Sequence, residues 1–206
     1  MCKKIYVTGI GTDVGKTVVS AIVTEALNAD YWKPIQAGDT TYGDTDKVKE
    51  LISNSTSKFY PNAYLLNTPM SPHAAAKIDN IVIDLSTIHT PQTDNSLVIE
   101  GAGGLLVPLN DSETILDTID INYKVILVSR HYLGSINHTL MSLKILLDKG
   151  HDVNVIFNGK ENKTSEEIIT KMTGVTVIGR IDEELNLNKQ TITKYANLFK
   201  ESLQTI

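Results

Sequence analysis

Residues Gly9-Ile10-Gly11-Thr12-Asp13-Val14-Gly15-Lys16-Thr17 form a glycine-rich turn ending in Gly-Lys-Thr, directly after the apolar run Ile5 to Thr8. A turn with so little side-chain bulk lets successive backbone N–H groups converge on an anion, and a helix starting at Lys16 adds the positive end of its dipole. The pattern dictates strand, turn and helix in that order, with a nucleoside triphosphate as the expected ligand. Lys16 is placed for the β- and γ-phosphates and the Thr17 hydroxyl for Mg2+. One spacing departs from the usual four residues between the first glycine and the Gly-Lys pair: Gly9 and Gly15 have five between them, and Gly11 leaves three. The extra residue implies an enlarged loop with Thr12 and Asp13 at its tip, facing a second ligand beside the phosphates, as in an ATP-using transferase or ligase. The plainer alternative is a glycine turn that binds nothing. The strand before it, the Gly-Lys-Thr and the helix after it speak against that.

Further apolar runs suited to buried parallel strands lie at Tyr31 to Ile35, Leu97 to Ile99, Val125 to Val128, Val153 to Phe157 and, more weakly, Val175 to Ile178. Helical patterns separate most of them. Lys16 to Asn28 carries Val19, Ile22, Val23, Ala26 and Leu27 at one-face spacing, and Leu140, Leu143, Ile145, Leu146 and Leu147 form a face that stops before Gly150. Thr164-Ser165-Glu166-Glu167 reads as a capping box, and Thr191 to Leu203 as a closing helix with Tyr195, Leu198 and Phe199 facing the core. This alternation predicts an α/β fold, a mostly parallel sheet with helices on both faces, P-loop NTPase-like, with ligands at the carboxyl ends of the strands. Ser53 to Asn95, with Pro61, Pro69, Pro72 and Pro91, fits the alternation poorly and reads as long excursions bearing short helices.

At 206 residues the chain fits one domain over 1–206. No apolar stretch approaches the ~18 residues that span a membrane, and Met1-Cys2-Lys3-Lys4 leads into the first strand without room for a cleavable signal, so a cytoplasmic location is expected. Cys2 is the one cysteine and can form neither an internal disulfide nor a thiolate cluster. With a net charge of −5 and scattered lysines, a nucleic-acid partner is not expected. No histidine pair has zinc-ligand spacing, and no nucleophile turn for Ser-His-Asp hydrolysis occurs.

Glu100 follows the run Leu97 to Ile99, and Glu100-Gly101-Ala102-Gly103-Gly104 supplies a carboxylate and then a turn open enough to approach phosphate. Asp44-Thr45-Asp46 opens a helix at Lys47 to Ile52; Asp44 reads as its N-cap, while Asp46, one turn in, can point at Mg2+. Thr17, Asp46 and Glu100 would form a hard-oxygen site with room for phosphate and water. Lys33, inside the apolar run Tyr31 to Ile35, either snorkels to solvent or emerges at the strand's end among anions.

Together these motifs resemble the dethiobiotin synthetase family. The resemblance rests on Gly11 to Thr17, Trp32-Lys33-Pro34-Ile35-Gln36, Asp44 to Asp46, Ser71-Pro72-His73, Glu100 to Gly104 and Leu133-Gly134-Ser135-Ile136-Asn137-His138, in the family's order. It implies a homodimer that uses ATP and Mg2+ to carboxylate 7,8-diaminononanoate with CO2 and close a cyclic urea. By that resemblance Lys33 and Lys16 are catalytic, and Thr17, Asp46 and Glu100 hold Mg2+. Asp13, Val14, Gly15, Val18, Gly101, Ala102, Gly103 and Asn158 complete the nucleotide site, with Asn158 on the adenine. Thr12, Ala37, Gly134, Ser135 and Asn137 meet substrate, the last three across the dimer interface. Two positions depart from the family: Ala37 stands where a Ser or Thr is common, and Asp182 replaces a proline in Gly179-Arg180-Ile181-Asp182. The first removes one substrate hydrogen bond, about 1 kcal/mol; the second bears on base selectivity. Competing readings are a partition-type ATPase switch, which usually has an extra lysine early in the loop that Ile10 to Val14 lacks, and a dinucleotide oxidoreductase, for which the third glycine is one place late. A third is another amide-forming ligase of the superfamily, without its glutamine-hydrolysing domain.

Overall fold

A strand that is apolar on both faces must lie between two layers. In the computed structural model, which describes residues 2–206, Ile5 and Val7 enter one core cluster and Tyr6 the opposite one. The strands are β1 (Lys4–Gly9), β2 (Asp30–Trp32), β3 (Ile35–Ala37), β4 (Phe59–Tyr60), β5 (Tyr64–Leu66), β6 (Leu97–Gly104), β7 (Lys124–Arg130), β8 (Asp152–Asn158) and β9 (Thr176–Ile181). The helices are α1 (Lys16–Leu27), α2 (Asp44–Leu51), α3 (Pro72–Ile78), α4 (Ser135–Asp148), α5 (Lys163–Thr173) and α6 (Lys189–Thr205). Seven strands pair in parallel in the order β4-β2-β6-β1-β7-β8-β9. Val19, Ile22 and Val23 of α1 and Ile192, Tyr195 and Phe199 of α6 cover one face, while Leu143 and Leu146 of α4 and Ile169 of α5 cover the other. The glycine-rich turn leaves the carboxyl end of β1, between β6 and β7, where connections depart to opposite sides of the sheet and a crevice opens.

The run Tyr31 to Ile35 is not one strand. Pro34 has no N–H to continue the ladder, so β2 ends at Trp32 and β3 pairs instead with β5 in a separate two-stranded parallel sheet. Lys33 sits at the break. Ser53 to Asn95 supplies β4, β5, α3 and a 3-10 turn, and Leu66, Ala75 and Ile83 join Ile35, Leu109 and Ile115 in a satellite core. The excursion is therefore a packed wall beside the crevice.

Three helix readings need correction. The cap of α5 is Asn162, whose side chain accepts from Ser165 N at 3.1 Å, because Thr164 already lies inside the helix. On α6 the buried stripe is Ile192, Tyr195, Ala196, Phe199 and Leu203, and Leu198 is 66% exposed because it falls outside that stripe. Leu147 of α4 is 40% exposed, and Leu143 and Leu146 carry the packing.

Buried Asp30 anchors the start of β2 by accepting from Lys58 N, Tyr60 Oη, Thr93 Oγ1 and Asn95 Nδ2 at 2.7 to 3.2 Å. These bonds tie β4 and the segment before β6 to the strand that delivers Lys33. Replacing Asp30 with alanine strands these donors and is expected to lower unfolding free energy by about 2–4 kcal/mol, measured by denaturant titration.

Candidate active site

The turn holds its shape through its own backbone. Asp13 and Gly15 take positive φ angles of 55° and 98°, Ile10 N donates to Val128 O at 3.1 Å, and Asn158 Nδ2 donates to Val14 O at 2.8 Å. No side chain caps α1, whose first N–H groups are left for an anion. Lys16 reaches back to Gly11 O at 2.7 Å. Val14 turns its side chain into the core, so only its backbone can serve a ligand.

Glu100 is fully buried and accepts from three side chains: Thr17 Oγ1 at 2.9 Å, Tyr31 Oη at 2.9 Å and Lys33 Nζ at 3.1 Å. Lys33, also buried, makes a second, short ion pair with Asp44, which in turn meets Lys47 at 3.4 Å. Burial works against the Lys33 ammonium, but Glu100 and Asp44 outweigh it and hold its pKa above the ordinary lysine value. Burial also opposes ionisation of Asp44, and Lys33 and Lys47 reverse that, leaving its pKa lowered. Burial and the neighbouring Glu100 charge raise the Tyr31 pKa, so its hydroxyl stays a donor.

Thr17, Lys33, Asp44, Lys47 and Glu100 line a cleft of about 770 Å³, with Tyr31 buried behind Glu100. The turn contributes Thr12, Asp13, Gly15, Lys16, Thr17 and Val18, and the other side brings Lys33, Ala37, Glu100, Ala102 and Gly103. Other expected site residues lie elsewhere. Gly101 packs under Tyr6, whose ring would sit 3.0 Å from an added Cβ, and Asn158 stands behind the turn. Gly134, Ser135 and Asn137 line a different cleft at the start of α4, with Tyr132 and Leu140. Asp46 bonds Gly43 N at 2.9 Å as part of the capping of α2, whose N-cap is Gly43; Asp44, expected as that cap, is the carboxylate that reaches Lys33.

A family model described as an AAA domain matches residues 3–191. The ATP-dependent dethiobiotin synthetase BioD of Christiangramia forsetii is 56% identical over 98% of this chain and 99% of its own, and that of Cytophaga hutchinsonii is 47% identical over 94% and 95%. The chain belongs to the ATP-dependent dethiobiotin synthetase family. Solved structures extend the fold beyond that family. A plasmid partition protein from Borrelia burgdorferi B31 bound to AMPPNP matches all of both chains at 14% identity and a TM-score of 0.58. The MinC:MinD cell division protein complex of Aquifex aeolicus matches 100% of this chain and 97% of that one at 15% identity and a TM-score of 0.57. At these identities they establish the fold alone.

Within this dethiobiotin synthetase family site, several residues in and behind the cleft escaped sequence reading. Tyr31 looked like a core strand residue, and only the need of a buried Glu100 for donors signals it. A lysine in an apolar run calls for a counter-charge, but Asp44 reads in sequence as a helix cap and only the fold brings it to Lys33. Asp39, Lys47, Pro69 and Met70 carry no motif that marks them, whereas Ser71 and Pro72 of the same wall belong to Ser71-Pro72-His73. Asp182 N donates to Tyr195 Oη at 3.1 Å, a bond that a proline at this position could not make.

Burial, aided by Lys33, lowers the Lys16 pKa to about 8, with Glu100 opposing the shift in part. An arriving triphosphate favours the ammonium, so binding above that pH takes up a proton. Affinity for Mg-ATP is expected to fall as pH rises above about 8, by up to about tenfold per unit. Calorimetry in two buffers of different ionisation enthalpy checks the proton count.

Proposed function

We infer that this chain catalyses the ATP-driven formation of dethiobiotin from 7,8-diaminononanoate and CO2 in biotin synthesis. The observation that carries the reading is the buried Lys33 ammonium, held between Glu100 and Asp44 at the mouth of the phosphate-binding turn. One substrate amine adds to CO2, losing a proton, to give a carbamate. Transfer of the γ-phosphoryl group from ATP to a carbamate oxygen gives a mixed anhydride and ADP. The second amine then attacks the carbonyl carbon, and phosphate leaves as the cyclic urea closes. Lys16 and the free N–H groups of α1 hold the phosphates, and Lys33 neutralises charge on the carbamate and on the group in transfer.

Thr17 and Glu100 suit Mg2+, since their hard oxygens converge at 2.9 Å beside the turn. Bound there, the ion would spread phosphate charge. Among the described residues no group of three His, Cys, Asp or Glu side chains could hold a metal, so phosphate and water would fill most of the shell. Asp46, on the first turn of α2, would join only after giving up its bond to Gly43. Asn158, at the end of β8 and bonded to Val14 O, is assigned to the adenine. We assign Gly134, Ser135 and Asn137, remote from the cleft in one chain, to the substrate carboxylate of a second copy in a homodimer. No helix among the described residues is long and apolar enough to cross a membrane, which suits the expected cytoplasmic location.

One assay tests the reading: ADP release with Mg-ATP, bicarbonate and the diamine, each omitted in turn. Full turnover is expected only with all of them present. ATP turnover indifferent to diamine and bicarbonate would transfer the chain to the switch reading.

A further inference from the structure

The second face of the sheet is covered unevenly. Helix α4 packs on β7 and β8, whereas toward β2 and β6 two short 3-10 turns, Leu85–Thr87 and Ile115–Thr118, border a cavity of about 240 Å³. Tyr6, Trp32 and Ile99 line it, all members of the core cluster opposite to the one that α1 joins. Side chains alternate along a strand, so Ile99 and the next residue, Glu100, point to opposite faces. The cavity therefore lies across the sheet from the phosphate cleft and shares no lining residue with it.

Acceptors dominate its polar lining. Thr118 Oγ1 spends its proton on Ile115 O at 2.7 Å, so the Tyr6 hydroxyl must donate to Thr118 Oγ1, also at 2.7 Å, and Tyr6 Oη keeps only lone pairs for a ligand. Burial raises the Tyr6 pKa, which holds that proton in place. Trp32 Nε1 is spent on Pro61 O at 2.9 Å, and the Thr90 and Tyr123 hydroxyls pair with each other at 2.7 Å. Exposed Asp117 and Asp120 add two carboxylates at the rim, and Lys149 and Lys4 offset part of their charge. The shortage of donors, more than the net charge, selects the ligand. We propose that this cavity is a second binding site, for a small organic amine whose apolar body lies against Trp32 and Ile99 and whose N–H groups meet these acceptors. An apolar cavity of about 150 Å³ takes benzene, so the space suits one ring with a short amine arm. Drug-sized molecules, which need about 300 Å³ or more, are excluded. The site does not depend on the reaction inferred above, and a carboxylate such as that of 7,8-diaminononanoate would only bring more acceptors to it.

Trp32 is the one tryptophan of the chain, so its fluorescence reports on the cavity directly. Benzylamine is expected to change that emission saturably with a Kd of about 1 mM. Benzoate, of similar size but with acceptors alone, should bind about tenfold more weakly or worse. Saturating Mg-AMPPNP should alter the benzylamine Kd by less than about threefold, which separates the cavity from the phosphate cleft. Two variants locate the site. Ile119→Phe, which adds a ring to the lining, should abolish the response in a chain shown to be folded by its denaturant curve. Asp120→Asn, on the exposed rim, should spare the fold and raise the Kd about threefold. An unsaturable response, benzoate bound as well as benzylamine, displacement by Mg-AMPPNP, or unchanged binding in either folded variant would each overturn the proposal.

Discussion

Replacing Lys33 with glutamine is expected to lower turnover by roughly a hundredfold or more while the chain remains folded. Among the described residues the lysine is the one cation that bonds directly to Glu100, the acceptor of the Thr17 hydroxyl, and so lies where transferred phosphoryl and carbamate charge would gather. A donor aimed at developing charge acts in the transition state more than in the ground state, so the loss should appear in kcat, with Mg-ADP affinity nearly unchanged. The structural cost is limited. Glu100 retains Thr17 and Tyr31, Asp44 retains Lys47, and the glutamine amide can still donate. Stability should fall by about 1–3 kcal/mol, below the cost of stripping a buried pair bare. Single-turnover ADP formation beside a thermal melt separates the two effects. Near-normal turnover in a folded variant would take Lys33 out of the chemistry.

The sheet was legible because its strands are apolar on both faces, which forces helices onto both sides, and because the phosphate turn fixes where the crevice opens. Pro34 marks in the sequence where the run Tyr31 to Ile35 bends; what sequence could not show was where Ile35 goes. Local hydrophobicity is the same on both sides of Pro34, and only the partner β5, some thirty residues on, decides that Ile35 leaves the main sheet. The same limit applies to charge. Asp44 and Asp46 are two residues apart on one helix start, and either can cap it in isolation; the nearby Lys33 takes Asp44 and leaves Asp46 to bond the backbone. A lysine in a strand was a sufficient reason to seek acids, but naming the acid required the fold. The exposed Leu198 makes the related point for helices: an apolar residue one step off the stripe has nothing to pack against.

Changing Gly15 to alanine is expected to weaken Mg-ATP binding by roughly thirtyfold to a thousandfold, about 2–4 kcal/mol, and to leave the core intact. Gly15 sits at φ 98°, outside the conformations open to side-chain-bearing residues, and an added Cβ would lie 2.3 Å from Asn158 Nδ2. Asn158 cannot simply retreat, because that amide supports the turn through Val14 O. Two adjustments follow: Asn158 loses its bond, and Gly15 moves toward negative φ, which turns the neighbouring N–H groups away from a common focus. The binding surface is those N–H groups, so small rotations there remove affinity that no other part of the cleft replaces. The damage stops at the turn, since Val14 is held in the core and Val19 N bonds Gly15 O at 3.0 Å within the start of α1. Calorimetric titration with Mg-AMPPNP against a denaturant curve distinguishes loss of the cradle from loss of the fold. Unimpaired nucleotide binding by the folded variant would show that the turn does not depend on this glycine's conformation.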